Sequence, residues 1–300
     1  MNTVQPGSEL SARGAGEART HATVLRMMLG QRLRRFREAA GVSPDEAGYE
    51  IRASRSKISR MEHGRVGFKE RDIADLLGLY GVTDEEARAG VLALARQANT
   101  PNWWSNYGDI LADWFEAYLG LEATASLIRS YEVQFVPGLL QTADYARAVT
   151  RLGQTAASTE EIDRRVSLRM KRQDLLTRPE RPRLWCILDE ATVRRPLGGP
   201  GVMRDQLNRL IEVAELPHVT IQVMPFGRGA HAGSGGSFTI LSFAEADLPD
   251  VVYVEQLTSA LYLDRRDDVD HYMEVIDRLG ANALTSAATA RFLMDITRET

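Results

Sequence analysis

Cysteine is almost absent from the chain, because Cys186 is the single cysteine among 300 residues. One cysteine excludes a disulfide within the chain and cannot supply the several thiolates of a structural metal site. The five histidines lie far apart and lack the H-x-x-x-H spacing that places two metal ligands on one face of a helix. The sequence therefore predicts a protein without a metal site.

Long apolar runs are absent as well. No segment approaches the ~18 uninterrupted apolar residues of a membrane helix, and residues 1–20 lack the apolar stretch of a secretory signal. These absences predict a cytoplasmic protein that does not contact a membrane. The composition, 44% hydrophobic and 26% charged, is typical of a globular protein with a sizeable core, and a chain of this length favours two domains.

Positive charge is in deficit over the whole chain but in excess at one end. The formal net charge is -4, yet residues 1–98 hold 16 Lys and Arg against 13 Asp and Glu, and the rest hold 21 against 28. Within residues 30–65 the count is 9 against 5. This asymmetry predicts a nucleic-acid-binding module attached to an acidic domain.

The first third of the chain has the pattern of a small helical domain. Residues 1–24 are rich in Gly, Ser, Ala and Arg without periodicity, which predicts a disordered arm. Residues 25–98 contain five short helical patterns, and this segment is the predicted DNA-binding domain. Ser43 and Glu46 form a capping box at the start of the second pattern.

The remaining helix signals of this domain are equally local. Ser54 is a natural cap for a third helix that ends near Gly64. A second capping box, from Thr83 to Glu86, predicts the start of the fifth helix.

The third helical pattern lies in the segment IRASRSKISRMEHGR, residues 51–65, which is far more basic than the chain around it. At 100° per residue, Ile58 and Met61 share one face, and hydroxyls and cations occupy the other. Arginine can fork onto guanine O6 and N7, serine can bond several base edges, and lysine suits phosphate oxygens. The candidate DNA-binding residues are Ser54, Arg55, Ser56, Lys57, Ser59, Arg60 and Arg65.

An isolated helix with this pattern is more often ordinary solvated surface. Here two capped helices are separated by a three- or four-residue turn within a compact five-helix segment, which is the helix-turn-helix layout. The context therefore favours the DNA-binding interpretation.

Residues 33–65, LRRFREAAGVSPDEAGYEIRASRSKISRMEHGR, resemble the helix-turn-helix of the phage-repressor (Cro/cI, or XRE-type) family. The resemblance implies an all-α, lambda-repressor-like domain in which Arg37 pairs with Glu62. Members often carry Gln at the start of the second helix, where this chain has Pro44, so that anchor to DNA is missing. The implied structural residues are Arg37, Ala47, Ile51, Ile58, Met61 and Glu62.

The sequence pattern changes after residue 98 from purely helical to mixed. Residues 99–300 form the predicted second domain. Apolar β-rich runs alternate with amphipathic helical patterns and Gly- and Pro-rich joints, which predicts an α+β domain with a mostly antiparallel sheet. Helices are predicted at 121–129, 140–151, 159–177, 201–215, 267–280 and 286–298, and strands at 183–188, 219–226, 237–243 and 251–257.

This second domain resembles the C-terminal domain of actinobacterial WhiJ-like regulators, a domain of unknown function. The matching segments are residues 131–149, 189–207, 216–243 and 250–255. The resemblance implies a transcription regulator, antitoxin-like in some descriptions, whose partner is a small companion protein encoded nearby. It implies no known ligand.

Three features of the second domain are candidates for a ligand or partner site. Aromatic residues near 103–107 either line a pocket or belong to the core. The segment VPGLLQTADYARAV carries an apolar face that is either buried or open to a ligand or helix. His231 lies in GRGAHAGSGG, which is most simply a flexible hairpin loop and alternatively a lid. The candidate residues are Trp103, Trp104, Tyr107, Leu139, Tyr145 and His231.

No set of residues in the sequence has the pattern of a catalytic site. Asp189 and Glu190 are adjacent acids, but neighbouring side chains on an irregular segment point apart, and the pair is better explained as a turn or helix start. The glycine-rich loop lacks the G-x-x-x-x-G-K-[ST] pattern of a phosphate cradle. We therefore expect no catalytic residues, no cofactor and no enzyme activity.

The sequence thus favours a transcription regulator that binds a pseudo-palindromic double-stranded DNA operator as a homodimer. In this hypothesis the second domain receives a small-molecule effector or a small partner protein. The alternative is an antitoxin-like protein that neutralises a co-encoded small protein and regulates its own operon.

Overall fold

The protein folds into two compact units. The computed structural model describes residues 25–99, 103–244 and 248–300. The first unit comprises the described residues up to Gly108 together with Phe115–Thr124, and the second comprises Asp109–Trp114 and Ala125–Thr300. The helical unit therefore extends past residue 98, where the sequence placed the boundary. The predicted arm, residues 1–24, lies outside the described residues.

The first unit is all-α, as predicted. Its five leading helices pack around one apolar core that includes Leu33, Ile58 and Leu77. The helices are α1 (25–39), α2 (Pro44–Glu50), α3 (Arg55–Glu62), α4 (Glu70–Leu79), α5 (Glu85–Ala98) and α6 (Asp113–Thr124). A 3₁₀ turn, Trp103–Tyr107, precedes α6.

The helix starts follow from local chemistry. Ser43 and Glu46 form the reciprocal capping box predicted for α2, with the Ser43 N–H donating to the Glu46 carboxylate at 2.8 Å. The Ser54 hydroxyl accepts from the Lys57 N–H at 3.2 Å and caps α3, also as predicted. The box predicted at Thr83 is wrong. The helix begins one residue later, and the Asp84 carboxylate accepts from the Glu86 N–H.

The turn between α2 and α3 is unusually tight. Gly48 lies at the contact, and a Cβ added there would stand 2.7 Å from the Ala53 carbonyl oxygen. Arg52, inside the turn, has a φ of 53°, a left-handed conformation that costs a non-glycine residue about 1–2 kcal/mol. The absence of a side chain at Gly48 therefore lets the two helices approach closely enough to fix their angle.

The second unit is built on one six-stranded sheet with the order β3-β2-β1-β4-β5-β6. Strands β1, β2 and β3 are parallel to one another, whereas β4, β5 and β6 pair antiparallel. The mostly antiparallel α+β prediction is thereby confirmed. The strands are β1 (Leu127–Glu132), β2 (Arg183–Asp189), β3 (Val219–Met224), β4 (Phe238–Ser242), β5 (Val251–Glu255) and β6 (Ala260–Leu263).

The helices of this unit largely follow the predicted patterns. The exception is the predicted helix at 121–129, because its last three residues belong to β1, which lies between β2 and β4. The edge strand β6 was also missed. The helices are α7 (Ala143–Gly153), α8 (Thr159–Arg172), α9 (Glu190–Arg194), α10 (Pro200–Ala214), α11 (Arg266–Asn282) and α12 (Ser286–Glu299).

The glycine-rich segment between β3 and β4 is not a hairpin loop, so that prediction is wrong. Strands β2 and β1 lie between β3 and β4 in the sheet. Residues 225–237, here called the strap, must therefore cross the ends of two strands, a span of about 14 Å at the usual strand spacing. Because β1, β2 and β3 are parallel, the strap crosses their carboxyl ends, where ligands bind in many α/β proteins.

We predict that Gly48→Ala lowers the free energy of unfolding by about 1–3 kcal/mol, because the methyl group meets backbone that cannot move without opening the α2–α3 turn. The matched control is Gly90→Ala in the middle of α5, where an added Cβ has no neighbour within 4 Å. This control gains helix propensity and becomes more stable by about 1 kcal/mol. Urea unfolding followed by circular dichroism measures both changes, and equal effects from the two variants would contradict the close contact.

Candidate nucleic-acid interface

The outer face of α3 carries the side chains that the sequence assigned to DNA. Ser54, Ser56, Ser59, Arg55 and Arg60 are all exposed. Two hydroxyls and one cation, from Ser56, Ser59 and Arg60, lie in the body of the helix, where side chains can reach base edges in a major groove. The face therefore combines arginine cations with serine hydroxyls, which can both donate and accept hydrogen bonds.

The inner face of α3 is buried against the rest of the unit. Ile58 and Met61 are each 1% exposed, and they belong to the same core as Ala47 and Ile51 of the α2 segment. The burial of these side chains orients the polar face outward, because a helix that buries one stripe can expose only the other.

The carboxyl end of α3 is held by a buried ion pair. The Arg37 guanidinium of α1 donates to both carboxylate oxygens of Glu62, at 2.5 and 3.0 Å, as the family resemblance implied. A third donor of Arg37 reaches the Val42 carbonyl at 2.9 Å in the α1–α2 connection. The hydrogen bond to Glu62 raises the pKa of Arg37, so the cation is held in its charged form.

Two glycines bring α1 against the same end of α3. A Cβ at Gly30 would lie 2.5 Å from the Met61 carbonyl oxygen, and one at Gly64 would lie 2.6 Å from the Met27 nitrogen. Gly64 also has a φ of 66°, the left-handed conformation that ends a helix. The backbones therefore touch without intervening side chains, which leaves α3 little freedom to tilt.

Two of the predicted DNA-binding cations have partners within the unit. The Lys57 ammonium donates to the Asp72 carboxylate of α4 at 2.8 Å, so it faces α4 rather than the open side of α3. Arg55 lies 3.6 Å from the Asp45 carboxylate and stays exposed. Arg65 is partly buried just after the helix, where its N–H bonds the Arg60 carbonyl. Arg55 and Arg60 are thus the most accessible cations of the predicted set.

Most of the aromatic and apolar candidates are core, and Trp103, Trp104 and Tyr107 belong to the first unit rather than to the predicted second domain. Trp104, Leu139 and Tyr145 are 2%, 3% and 1% exposed, so none of them lines an open site. The Tyr145 hydroxyl accepts from the Val136 N–H, an internal bond. Trp103 and Tyr107 are partly buried and meet edge to face on the 3₁₀ turn. The burial of Trp104, Leu139 and Tyr145 favours the core alternative over a ligand-binding role.

His231 is the candidate that contacts polar side chains at the carboxyl ends of the parallel strands. It lies on the strap, with Nε2 3.3 Å from the Tyr131 hydroxyl at the end of β1 and 3.7 Å from an oxygen of Asp189 at the end of β2. Its Nδ1 accepts from the Gly233 N–H. Because Nδ1 is an acceptor, the Nε2–H points toward the hydroxyl and the carboxylate. A Cβ at Gly233 would stand 2.4 Å from the Tyr131 ring, so the strap lies directly on β1.

A second acidic side chain, that of Glu132, lies at the same edge of the sheet. Glu132 is the last residue of β1, and burial raises the pKa of its carboxyl to about 8, against a lowering contribution from a hydrogen bond with Ser237. The Ser237 hydroxyl also accepts from the Val133 N–H at 3.1 Å. Near neutral pH this carboxyl is largely protonated and can donate a hydrogen bond.

Sequence reasoning missed Tyr131 and Glu132 and took Asp189 for a turn or helix start. The carboxylate of Asp189 does accept from the Ala191 N–H and caps α9, so that interpretation is confirmed. Tyr131 and Glu132 were missed because β1 was not predicted as a strand. Polar residues indicate a site at the edge of a sheet only when the parallel strands that they end are known.

Comparison with known proteins agrees with this division of the chain. A family model described as Domain of unknown function (DUF5753) matches residues 115–295, more than half of the chain. The chain belongs to this family. A model described as Helix-turn-helix domain matches residues 28–90, ahead of the DUF5753 domain. Searches of the curated proteins and of the solved structures gave no match.

The helix-turn-helix match supports a DNA-binding regulator. The DUF5753 match gives the second domain a family without giving it an activity. Within the described part of the chain, no helix is both long and apolar enough to cross a membrane.

We predict that Glu62→Ala lowers the free energy of unfolding by about 3–5 kcal/mol, because it leaves the buried Arg37 cation without its counter-charge. The matched control is Glu38→Ala, which removes an exposed carboxylate 2.8 Å from Arg34 and costs less than about 1 kcal/mol. Urea unfolding gives the size of each effect. Hydrogen exchange of the α3 amides locates it, and unchanged protection of α3 in Glu62→Ala would refute the assigned role.

A pH-dependent prediction follows from Glu132. Its pKa in the folded protein, about 8, lies above the ordinary value of 4.5, so between these values the folded state binds more protons than the unfolded state. Stability is therefore lost as pH rises from about 4.5 to about 8. Glu132→Gln removes this loss and is expected to be on the order of 3 kcal/mol more stable than wild type at pH 8.5, with little difference at pH 5.

Thermal and urea unfolding at the two pH values measure the effect of Glu132→Gln. Glu215→Gln, at an exposed carboxylate that ends α10, serves as the control and should give the same small difference at both pH values. A Glu132→Gln difference that does not grow with pH would show that this carboxyl is already ionised in the folded protein.

Proposed function

We propose that the protein is a sequence-specific DNA-binding transcription regulator that acts in the cytoplasm. The observation that carries this proposal is the construction of α3. Its apolar side and its carboxyl end are fixed by packing and by the Arg37–Glu62 pair, while Ser56, Ser59 and Arg60 stay exposed. A rigid helix with an exposed polar and cationic face is the element that helix-turn-helix proteins place in the major groove.

The contacts divide into two classes in this proposal. Arg60, with Ser56 and Ser59, reads base edges, since these side chains project from the middle of the exposed face. Ser54 and Arg55 at the start of α3, and Arg65 after its end, contact phosphates and set the register. Lys57 joins the phosphate contacts only by exchanging its bond to Asp72, and it therefore contributes less than an unpaired lysine.

The operator in this proposal is pseudo-palindromic, and the protein binds it as a homodimer. A single short helix reads too few bases for useful specificity, and two-fold symmetry doubles the contacts at half-sites about one helical turn apart. The DUF5753 domain modulates binding by taking up a small ligand or a small partner protein. No enzyme activity is part of the proposal.

An antitoxin-like role, in which the DUF5753 domain neutralises a small protein encoded nearby, is the second candidate. One observation favours it. The β5–β6 hairpin lies at one edge of the sheet, and it carries Leu257, which is fully exposed, and Leu261, which is 54% exposed. Edge strands with exposed apolar side chains can accept strands from partner proteins. Co-purification of the neighbouring gene product with the wild-type chain, tested against a hairpin variant with both leucines changed to Asp, separates the two roles.

We predict that Arg60→Ala lowers the affinity for the operator by about 1–3 kcal/mol and relaxes the preference at one base position per half-site. The experiment selects genomic DNA fragments on the purified full-length protein, sequences them, and then measures affinities on the derived operator at fixed salt. The control is Arg96→Ala on α5, an exposed arginine paired with Glu70, which should leave the selected motif unchanged.

Two outcomes would contradict the proposed function. If wild type enriches no common motif, the protein does not read DNA sequence. If Arg60→Ala selects the same motif with the same affinity as wild type, the exposed face of α3 is not the reading surface.

A further inference from the structure

A cavity of about 280 Å³ lies between the strap and the carboxyl-terminal turn of α11. Among the described residues its walls come from the strap and from α11, which both belong to the second unit. The lining residues are Arg228, Ala230, His231, Ala232, Arg278 and Asn282. The volume is at the lower end of small-molecule sites, so the cavity fits a compact metabolite better than a peptide or a nucleotide.

The polar lining is cationic, although this part of the chain is acidic overall. Two guanidinium groups, of Arg228 and Arg278, are joined by an imidazole and an amide. Within the described residues Arg228 has no ion pair, and Arg278 has only an exposed neighbour, Glu274, at 3.9 Å. Both guanidinium groups are exposed. Guanidinium groups bind carboxylate and phosphate oxygens through two parallel hydrogen bonds, so this lining suits an oxyanion.

The strap wall of the cavity is fixed before any ligand arrives. His231 is held by Tyr131, Asp189 and the Gly233 N–H. One end of the strap is anchored where the Phe226 N–H donates to the buried Glu190 carboxylate at 2.7 Å. These bonds hold the strap across the strand ends.

The α11 wall is fixed in the same way. The Gln222 amide of β3 donates to the carbonyls of Gly280 and Leu284, and it accepts from the Trp185 indole N–H. The end of α11 is thereby tied to the sheet. Because these bonds hold the strap and the end of α11, binding of a ligand costs less free energy for ordering of the backbone on either side of the site.

We propose that this cavity is a binding site for a small oxyanion, a metabolite bearing a phosphoryl or carboxylate group that Arg228 and Arg278 hold between them. The regulatory meaning of the site rests on the function proposed above, in which the DUF5753 domain receives a signal. The binding itself is independent of DNA and can be measured without it.

The test is isothermal titration of the full-length protein at constant pH and ionic strength. Inorganic phosphate is titrated in one arm and succinate in the other. A titration with sodium chloride is the blank for both arms. Saturable binding of one ligand per chain is expected, and the arm that binds more tightly identifies the group as phosphoryl or carboxylate. Arg228→Ala and Arg278→Ala are each expected to weaken binding tenfold or more.

Arg266→Ala is the matched control. It removes a 91% exposed arginine from the first turn of the same helix, and it should leave the dissociation constant unchanged. Absence of saturable binding in both arms would overturn the inference, and so would binding that neither Arg228→Ala nor Arg278→Ala weakens.

Motif selection on the same preparations keeps the two proposals apart. Wild type that enriches an operator but binds neither oxyanion overturns this inference alone. Wild type that binds an oxyanion through Arg228 and Arg278 but enriches no operator overturns the proposed function and supports the site.

Discussion

The buried ion pair between Arg37 and Glu62 is the interaction on which the presentation of α3 depends. Burying two charges costs several kcal/mol each, and only good geometry with additional hydrogen bonds offsets that cost. Arg37 meets the condition with two bonds to the carboxylate and a third to the Val42 carbonyl. One side chain of α1 thus joins the α1–α2 connection and the end of α3, and it orients the exposed face of α3 from the buried side.

The helical unit reaches this rigidity mainly through short connections and close backbone contacts. Glycines at positions 30, 48 and 64 stand where any side chain would collide with neighbouring backbone. Such contacts fix angles and distances between helices more firmly than long side chains can, because the backbone has no rotamers to adjust. The exposed face of α3 is therefore held at a fixed angle to α1 and α2.

In the second unit the order of the strands brings distant residues together at one edge of the sheet. The strap has to cross β2 and β1 to reach β4, so it brings His231 to the carboxyl ends of strands that carry Tyr131 and Asp189. Residues separated by about 100 positions in the chain become neighbours through this crossing. The same crossing places one wall of the cationic cavity opposite the end of α11.

The sequence by itself determined the local features of this protein. The caps at Ser43 and Ser54, the apolar stripe of Ile58 and Met61, and the exposed basic face of α3 were all predicted correctly, because each depends on residues within one or two turns. The strand predicted at 183–188 followed in the same way from its run of apolar residues and is confirmed as β2. The Arg37–Glu62 contact came from the family resemblance, since nothing in the spacing of two residues 25 apart indicates a bond.

Only the tertiary structure decided the features that depend on strand order. The helix predicted at 121–129 runs into residues 127–132, which instead form a central strand because β2 and β4 satisfy their backbone hydrogen bonds on both sides. Without that strand the glycine-rich segment is indistinguishable from a hairpin loop, and Tyr131, Glu132 and Asp189 have no common location. Capping and periodicity depend on residues close together in the sequence. Pairing between distant strands has many possible combinations, and which of them forms depends on the packing of the whole sheet.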